Sequence, residues 1–488
     1  VNWIPAWGEI RLANMVKDRK EWCISRQRVW GVPIPVFYAE DGTEILDEEV
    51  ILHISEIFAK EGSDAWFVKD AKDLLPKGYT NPHSPNNIFT KETDIMDVWF
   101  DSGTSHHSAL VTKGYKYPYD LYLEGSDQYR GWFNSSLSTG IAMTGVAPYK
   151  TVLSHGFVVD GNGNKMSKSK GNVIDPLVLC NQYGADILRL WVASVDFKSD
   201  VRISNDIMKQ MSEAYRKIRN TFRFLLGNLS DFDVERDFVK YNKMPEIDQY
   251  MVSNLNKLIE KVLNAYEKYS FDEVFRLVLT YMTNDLSAFY LDFTKDIIYI
   301  DAMDSFERRS IQTVFYENLY ALVRILTPII PFTTEEVYSH MLGEKEESVY
   351  LTRLPFVKVF ANSNELINKY TEFMKIRDDV LKAIEVARND KIIGKSLSAK
   401  IEMKPTEKTA RLLSSLKVDL KKVFIVSEFV LTNDDIDGDS YECGIIKVTP
   451  RDGIVCSRCW QVVDIVNQEE LCHRCENVVE ELRYKNGN

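Results

Sequence analysis

The spacing of apolar residues changes at Ser204, and this change constrains the fold more than any other feature of the 488-residue chain. Beyond it, apolar residues recur every three or four positions over long segments, which is the period of an amphipathic helix. Turn residues separate these predicted helices: Ile207–Leu226, Ile247–Tyr269, Phe271–Thr294, Phe306–Leu326 and Thr334–Leu342. Long helices joined by short turns predict an all-α bundle.

Upstream of this point, short apolar runs end in polar residues. Leu121–Leu123 leads into Glu124–Gln128, and Thr151–Ser154 leads into His155, with a predicted helix at Ser135–Met143 between them. Strands with polar carboxyl ends, separated by helices, are typical of a doubly wound parallel α/β sheet that binds ligands at those ends. The side chains predicted to face one crevice are Glu124, Asp127, Gln128 and His155.

A lysine-rich loop follows the predicted sheet. The segment Lys165–Asn172 (KMSKSKGN) carries three lysines and no acidic residue. It lies between a predicted strand at Phe157–Val159 and a helix that should begin at Asp175-Pro176, an N-cap followed by proline in the first turn. Its ammonium and backbone N–H groups could hold phosphates. The composition fits a solvated surface loop equally well.

Two tryptophan-containing segments lie nearer the N-terminus. Trp22–Gly31 is predicted to be a buried strand leading into a turn, with Arg26 placed to stack on nucleic acid. Asp97–Gly103 is predicted to be the end of a strand that opens into a loop. Residues 41–95 between them are acidic and irregular, with a helical period over Glu48–Glu61, and predict a small insertion without chemistry.

Three arginines of the first predicted bundle helix share one face. Arg216, Arg219 and Arg223 recur at spacings of three and four. This face is either solvated surface or a ridge that binds phosphates. The net charge of −12 excludes a uniformly basic nucleic-acid binder, so RNA contact would have to use local patches of this kind. The sequence has no apolar run of about 18 residues, so no membrane span is predicted.

The C-terminal region carries the most specific local signal. Cys456 and Cys459 form one CxxC pair, and Cys472 and Cys475 form another after twelve residues. Four thiolates at this spacing predict a closed tetrahedral zinc site with a structural role. Disulfides are disfavoured because no secretory signal is present. Upstream, a helix at Tyr370–Asn389 and a strand at Lys422–Val430 predict a small mixed region.

Taken together, these motifs resemble class I aminoacyl-tRNA synthetases, and within them the bacterial isoleucyl type, over nearly the whole chain. The signature Lys165–Ser169 is specific to class I, and Trp22–Gln27 is shared with valyl relatives. Gly31–Pro35, Asp97–Gly103 and Glu124–Gln128 are similar to the isoleucyl type, as is the paired CxxC tail. The resemblance implies a Rossmann-like α/β catalytic half with a parallel doubly wound sheet, an all-α bundle, a small mixed α/β region and a C-terminal zinc module.

The resemblance also implies a reaction: ATP-dependent activation of isoleucine to isoleucyl-adenylate, then transfer to tRNA(Ile). Lys165 and Lys168 would neutralise charge on the ATP phosphates with Mg²⁺ assisting, and Lys168 would contact ATP directly. Trp99 and Trp132 would be apolar walls around the isoleucine side chain. The other implied residues are Glu124, Gly125, Asp127, Gln128 and His155 for the adenylate, Arg26, Arg216, Arg219 and Arg223 for tRNA, and Cys456, Cys459, Cys472 and Cys475 for one zinc ion.

The implied domain order is the end of a connective insertion at 1–95, the second half of the catalytic domain at 96–205, an anticodon-binding domain at 206–360, a junction region at 361–450 and the zinc module at 451–488. The expected protein is cytoplasmic and monomeric, without membrane association. The family's His-x-Gly-His signature and editing domain do not occur in these 488 residues. We therefore expect an excerpt of a longer protein, which alone completes neither activation nor editing.

Two alternatives remain open. A valyl enzyme is disfavoured by Asp101-Ser102-Gly103 and by the cysteine tail. A non-catalytic tRNA-binding remnant of a synthetase is disfavoured by the intact lysine signature and the strand-end polar residues.

Overall fold

The computed structural model describes residues 1–19 and 21–485 and divides the chain into two compact units. The first comprises Val1–Val159 and Phe197–Arg202, and the second comprises Asp160–Asp196 and Ile203–Asn488. Within the described ranges, no helix combines the length and apolarity needed to cross a membrane.

A three-stranded parallel sheet organises the first unit. Tyr149–His155 is the central strand, flanked by Asn2–Ile4 and Tyr119–Gly125. The register pairs Gly125 with His155, so the carboxyl ends of two strands lie side by side. The prediction of a parallel α/β fold is confirmed.

Short elements complete this unit. The other strands are Ser25–Arg26, Phe37–Tyr38, Glu44–Ile45, Thr90–Lys91, Ile95–Met96, Val158–Val159 and Val201–Arg202. The helical segments are Trp7–Asp18, Glu48–Glu61, Ala65–Val68, Ala71–Leu74, Val98–Gly103, His106–Leu110, Val111–Lys113, Ser126–Arg130 and Trp132–Thr144. The region 37–89 has a small apolar core of its own around the buried Trp66.

Two local predictions in this unit are wrong. Instead of a long buried strand over Trp22–Gly31, only Ser25–Arg26 pairs, antiparallel to Ile95–Met96, and Trp30 is 92% exposed. Hydrogen bonds from Trp22 and Arg26 to a buried carboxylate hold this segment, so it needs no continuous strand ladder. The segment predicted as a loop, Asp97–Gly103, contains a short helix, Val98–Gly103, because the side chain of Asp97 caps it.

Long helices dominate the second unit, which confirms the predicted bundle. Its helical segments are Lys168–Lys170, Pro176–Tyr183, Ala185–Ser194, Asn205–Gly227, Val234–Asp237, Tyr241–Lys243, Glu246–Glu267, Phe271–Thr280, Tyr281–Tyr290, Leu291–Ile300, Phe306–Leu326, Pro331–Ser339, Val349–Leu351, Ser363–Asn389, Ser396–Ser398, Glu407–Ser415, Leu420–Phe424 and His473–Lys485. The run Phe271–Ile300 is continuous and widens to a π-helix over its central ten residues.

A four-stranded mixed sheet follows the bundle. Its order is Glu428–Leu431, Ala399–Pro405, Gly444–Pro450 and Asp439–Tyr441, and a separate hairpin pairs Ile454–Val455 with Val462–Val463. The strand predicted at Lys422–Val430 is wrong for the residues before Glu428. Asp419 accepts a hydrogen bond from the backbone N–H of Lys421 and caps a short helix at Leu420–Phe424, so the strand begins only at Glu428.

Candidate functional site

The strand-end residues form a compact polar group in the first unit. Gly125 and His155 are register neighbours, and Asp127 lies beside them at the start of the next helical turn. A Cβ atom built on Gly125 would lie 2.7 Å from Asp127 Oδ1 and 3.7 Å from His155 Cε1. Because glycine leaves that space open, the carboxylate and the imidazole can approach the backbone closely. Glu124, next to this group, is exposed at the strand end.

A second group surrounds Gly131. The side-chain oxygen Oε1 of Gln128 accepts a hydrogen bond from the backbone N–H of Trp132 at 3.0 Å. The indole of Trp99 lies against Gly131, so that a Cβ there would meet Trp99 Cη2 at 2.6 Å. The Trp132 ring stacks on Tyr122, with centroids 4.2 Å apart. Trp99 therefore packs against Gly131, the residue directly before Trp132 in the chain.

Asp97 connects this group to the N-terminal segment. Its buried carboxylate accepts hydrogen bonds from Trp22 Nε1 at 2.9 Å and Arg26 Nη2 at 2.8 Å through one oxygen. Its other oxygen accepts from the backbone N–H of Trp99 at 3.2 Å and caps the helix that carries this tryptophan. Arg26 thus forms an ion pair with a carboxylate of its own chain, and its predicted tRNA contact stays a prediction.

In the second unit, Asn172 holds the lysine loop together. Its Oδ1 accepts from the backbone N–H of Ser167 at 2.9 Å, and its Nδ2 donates to Asp160 Oδ2 at 2.8 Å. That hydrogen bond is the main cause of the lowered pKa of Asp160. Gly171 takes the left-handed conformation that ends the short helical turn, with φ of 65°.

The loop lysines are free of competing acids. Lys165, Lys168 and Lys170 are exposed, and none of them pairs with an acidic side chain among residues 1–19 and 21–485. Three cations held on a hydrogen-bonded loop favour binding of a polyanion such as a triphosphate.

The predicted arginine face lies on the helix Asn205–Gly227. Arg216, Arg219 and Arg223 are all exposed, as their helical spacing predicts. Arg216 forms an ion pair with Glu213 at 2.7 Å. In the part of the chain that the structure describes, Arg219 and Arg223 have no such acidic partner. These two are therefore the more available for phosphate contacts.

All four predicted metal ligands converge. The sulfur atoms of Cys456, Cys459, Cys472 and Cys475 lie within 4.8 Å of one another, and all four residues are buried. A tetrahedron with Zn–S bonds of about 2.3 Å places its sulfurs about 3.8 Å apart. The Cys459 and Cys472 sulfurs are 3.7 Å apart, which suits a shared metal and is far beyond a disulfide bond of about 2.05 Å.

The four thiols differ in how easily they ionise: burial raises the pKa of Cys459, and it raises that of Cys475 to about 11, whereas Cys456 shifts the other way. Burial opposes ionisation of Cys456, but donors that include the backbone N–H of Cys472, 3.3 Å from its sulfur, lower its pKa to about 6. A thiolate is the form that binds zinc. His473 projects outward with 87% of its side chain exposed, which agrees with a site made of cysteines alone. The residues present therefore fit a closed structural zinc site with no position open for catalysis.

Two family models match the chain. Residues 1–204 match the model described as "tRNA synthetases class I (I, L, M and V)". Residues 248–403 match the model described as "Anticodon-binding domain of tRNA ligase". The chain belongs to the class I tRNA synthetases.

Individual relatives of this synthetase chain are named isoleucine–tRNA ligase. One from Bacillus licheniformis is 54% identical over 486 residues, and one from Bacillus cytotoxicus is 55% identical over 488 residues. Each alignment covers 98% of this chain and 53% of the relative, so the chain spans about half the length of the curated relatives it matches. The valyl alternative finds no support in these names.

A solved structure supports the fold independently. The LeuRS of Agrobacterium radiobacter K84, solved in a ternary complex with tRNA and LeuAMS, aligns with a TM-score of 0.53 at 19% identity. The alignment covers 74% of this chain and 46% of that chain. At this identity the likeness shows a shared fold.

Sequence reasoning missed several residues of this synthetase that organise the predicted sites. Asp97 could have been found from the sequence, because aspartate is a preferred N-cap residue directly before a helical segment. Gly131 and Asn172 carry no comparable local signal, because their roles depend on side chains brought near by folding. The role of Asp160 likewise depends on Asn172, to which it is hydrogen-bonded twelve residues away.

Proposed function

We propose that this chain supplies part of an ATP-dependent isoleucine–tRNA ligase. The observation that carries the proposal is the 54–55% identity to proteins of that name over 98% of the chain. The proposed enzyme activates isoleucine as isoleucyl-adenylate, transfers it to tRNA(Ile), and works in the cytoplasm as a monomer.

In the proposed activation step, the isoleucine carboxylate attacks the α-phosphate of ATP and pyrophosphate leaves. No protein nucleophile is required, so catalysis depends on positioning and on stabilising phosphate charge. Lys165 and Lys168 are exposed and have no acidic partner among the residues that the structure describes, so they are suited to the phosphates, and ATP would bring Mg²⁺ as its counter-ion. The hydrogen bonds of Asn172 limit the conformations that this loop must lose when it closes on ATP.

The strand-end group is suited to the adenylate. Glu124, Asp127 and Gln128 would contact the amino and ribose groups, with Gly125 and His155 beside the nucleotide. We assign Trp99 and Trp132 to the walls of the isoleucine pocket, and the packing of Trp99 against Gly131, the residue before Trp132, supports this assignment. A pocket of this kind discriminates isoleucine from valine weakly, since the one methylene by which they differ is worth about 1–3 kcal/mol.

The helical bundle is proposed to bind tRNA. Its match to the anticodon-binding model and the outward arginines of the helix Asn205–Gly227 support this. The zinc module is proposed to maintain the shape of the C-terminal region, with one zinc ion per chain. Charge-assisted contacts from Arg219 and Arg223 to phosphates would make binding strongly dependent on salt.

ATP–pyrophosphate exchange tests the proposal. The protein that carries this chain is assayed with isoleucine, valine and leucine in parallel, and exchange is expected to depend on isoleucine most strongly. Lys168→Ala should lower kcat by about 10²-fold or more because it removes a group that stabilises transition-state charge. The control is Lys170→Ala, an exposed lysine of the same loop that lies outside the predicted signature, and it should retain most activity. Exchange that prefers valine, or that ignores amino acids, would refute the assignment.

A further inference from the structure

The two cysteine pairs carry an arginine at the same position. Arg458 directly precedes Cys459, and Arg474 directly precedes Cys475, so both pairs have the form Cys-x-Arg-Cys. A guanidinium group is always protonated and offers no lone pair, so neither arginine can be a zinc ligand. The proposed aminoacylation chemistry does not use them either.

Both arginines reach the C-terminal end of the same bundle helix, Leu291–Ile300. Arg458 Nη1 donates a hydrogen bond to the backbone oxygen of Ile300 at 2.6 Å. The guanidinium of Arg474 makes two ion pairs, to Asp296 Oδ2 at 2.5 Å and to Asp301 Oδ1 at 2.6 Å. Arg458 therefore binds a backbone oxygen at the helix end, and Arg474 binds Asp296 within the helix and Asp301 directly after it.

These contacts are sheltered from solvent. The Arg474 side chain is 28% exposed and that of Asp301 is 14% exposed. The side chain of Ile300 is buried against the four cysteines. The last carbonyls of a helix lack intrahelical donors and carry the negative end of its dipole, so cationic donors are stabilising there.

Convergence of the four cysteines brings both arginines to the same helix end. They come from knuckles twelve residues apart in sequence, and the convergence of the four sulfur atoms brings those knuckles together. Each arginine is covalently adjacent to a ligand cysteine, so a change in ligand geometry moves it directly. Without the metal, each arginine would have to find its partner from an unconstrained loop, at an entropic cost.

We propose that the four-cysteine site is a metal-dependent clamp, in which Arg458 and Arg474 dock the C-terminal module onto the end of the helix Leu291–Ile300. This helix lies inside the segment that matches the anticodon-binding model, residues 248–403. Metal occupancy would therefore set the order of that helix end. The proposal concerns docking within this chain and stands whether or not the aminoacylation activity is confirmed.

Hydrogen exchange on the 488-residue chain tests the clamp, with zinc content measured in parallel. The variants are Arg458→Ala with Arg474→Ala, and, on the bundle side, Asp301→Asn. The control is Arg483→Ala, whose arginine pairs with Glu469 inside the module at 3.0 Å. In the zinc-loaded chain, amides at 297–301 should exchange slowly. Chelation should raise their exchange about tenfold or more, as expected for loss of a charge-assisted contact.

The double arginine variant and Asp301→Asn should keep about one zinc per chain and still show the fast exchange of the chelated protein. The control should behave as the unmodified chain does. Two results would overturn the proposal. One is unchanged protection at 297–301 after chelation. The other is loss of zinc from both Asp301→Asn and the double arginine variant, because the arginine contacts would then hold the metal site together instead of docking the module.

Discussion

Asp248 provides a test of how the bundle core is built. It lies on the helix Glu246–Glu267 with only 1% of its surface exposed. Tyr290 donates a hydrogen bond to Oδ1 at 2.7 Å, and Ser310 donates one to Oδ2 at 2.5 Å. Among the described residues, no lysine or arginine pairs with this carboxyl group. Burial therefore raises its pKa from the ordinary value of 3.8 to about 7, the nearby charge of Glu307 adds to the rise, and the two hydroxyl donors oppose it.

The direction of the pH effect follows from proton linkage. A carboxyl group with a raised pKa in the folded state holds its proton more tightly there than in the unfolded chain. Its contribution to stability is complete below about pH 3.8 and is lost as the pH rises through about 7. At about 1.4 kcal/mol per tenfold difference in proton affinity, the folded state is penalised by about 4 kcal/mol above pH 7.

The substitution Asp248→Asn removes this ionisation at nearly constant volume. The amide oxygen can still accept from Tyr290, and the amide N–H can donate to the Ser310 hydroxyl, at a cost of about 1 kcal/mol for altered geometry. We expect the variant to be more stable than the unmodified chain by about 3 kcal/mol at pH 8. At pH 4, where the carboxyl is largely protonated in the folded state, the difference should lie within about 1 kcal/mol.

Urea unfolding followed by far-ultraviolet circular dichroism at pH 4, 6 and 8 measures this difference. Glu260→Gln, on the exposed face of the same helix, is the matched control and should show no comparable pH-dependent gain. If Asp248→Asn were less stable than the unmodified chain at pH 8, or if its effect were the same at pH 4 and pH 8, the reasoning would be refuted.

Three further substitutions address the proposed sites. Gly131→Ala places a methyl group 2.6 Å from Trp99, so it should raise KM for isoleucine in pyrophosphate exchange and affect kcat less. Adding Trp99→Phe to the same protein should partly restore KM. An unchanged KM in Gly131→Ala would contradict the pocket assignment. Arg219→Glu should weaken tRNA binding and reduce the magnitude of the slope of log K against log salt by about one, measured by filter binding between 50 and 200 mM salt. An unchanged slope would show that this residue does not contact the tRNA. Asn172→Ala removes the hydrogen bonds that order the lysine loop, so it should raise KM for ATP several-fold and leave the thermal unfolding midpoint nearly unchanged. A normal KM for ATP would show that other contacts order the loop.

Features that depend on neighbours along the chain were predictable. The helix Phe306–Leu326 has the predicted bounds, because its apolar period and its Ser305 cap are local. Asp175 caps its helix as predicted, since its side chain needs only the N–H of Leu177 two residues away. The four cysteines could be assigned to one site because two CxxC pairs at this separation are the usual ligand pattern of a structural zinc site, and the folded chain brings the two pairs together.

Predictions failed where a distant partner decided the local conformation. Trp22 and Arg26 belong to an apolar-looking run, yet they turn toward Asp97, more than 70 residues away in sequence, and the run does not form a long strand. The strand predicted at Lys422–Val430 starts late because Asp419 caps a short helix, Leu420–Phe424, that takes up its first residues. In both cases a polar side chain competed successfully with strand propensity, which is weak and dependent on context.

Periodicity and spacing within a few residues were enough to predict the class of fold, the bundle helices, the lysine loop and the group of four cysteines. The side chains that support these features became apparent only from contacts in the folded chain. Gly131 matters because Trp99 lies against it. Asp248 is unusual because the bundle buries it with no cationic partner in the described part of the chain. Arg474 pairs with Asp301 because the two cysteine pairs meet beside one helix end. These are contacts across long separations in sequence, and their energies arise from burial and close approach, which exist only in the folded chain.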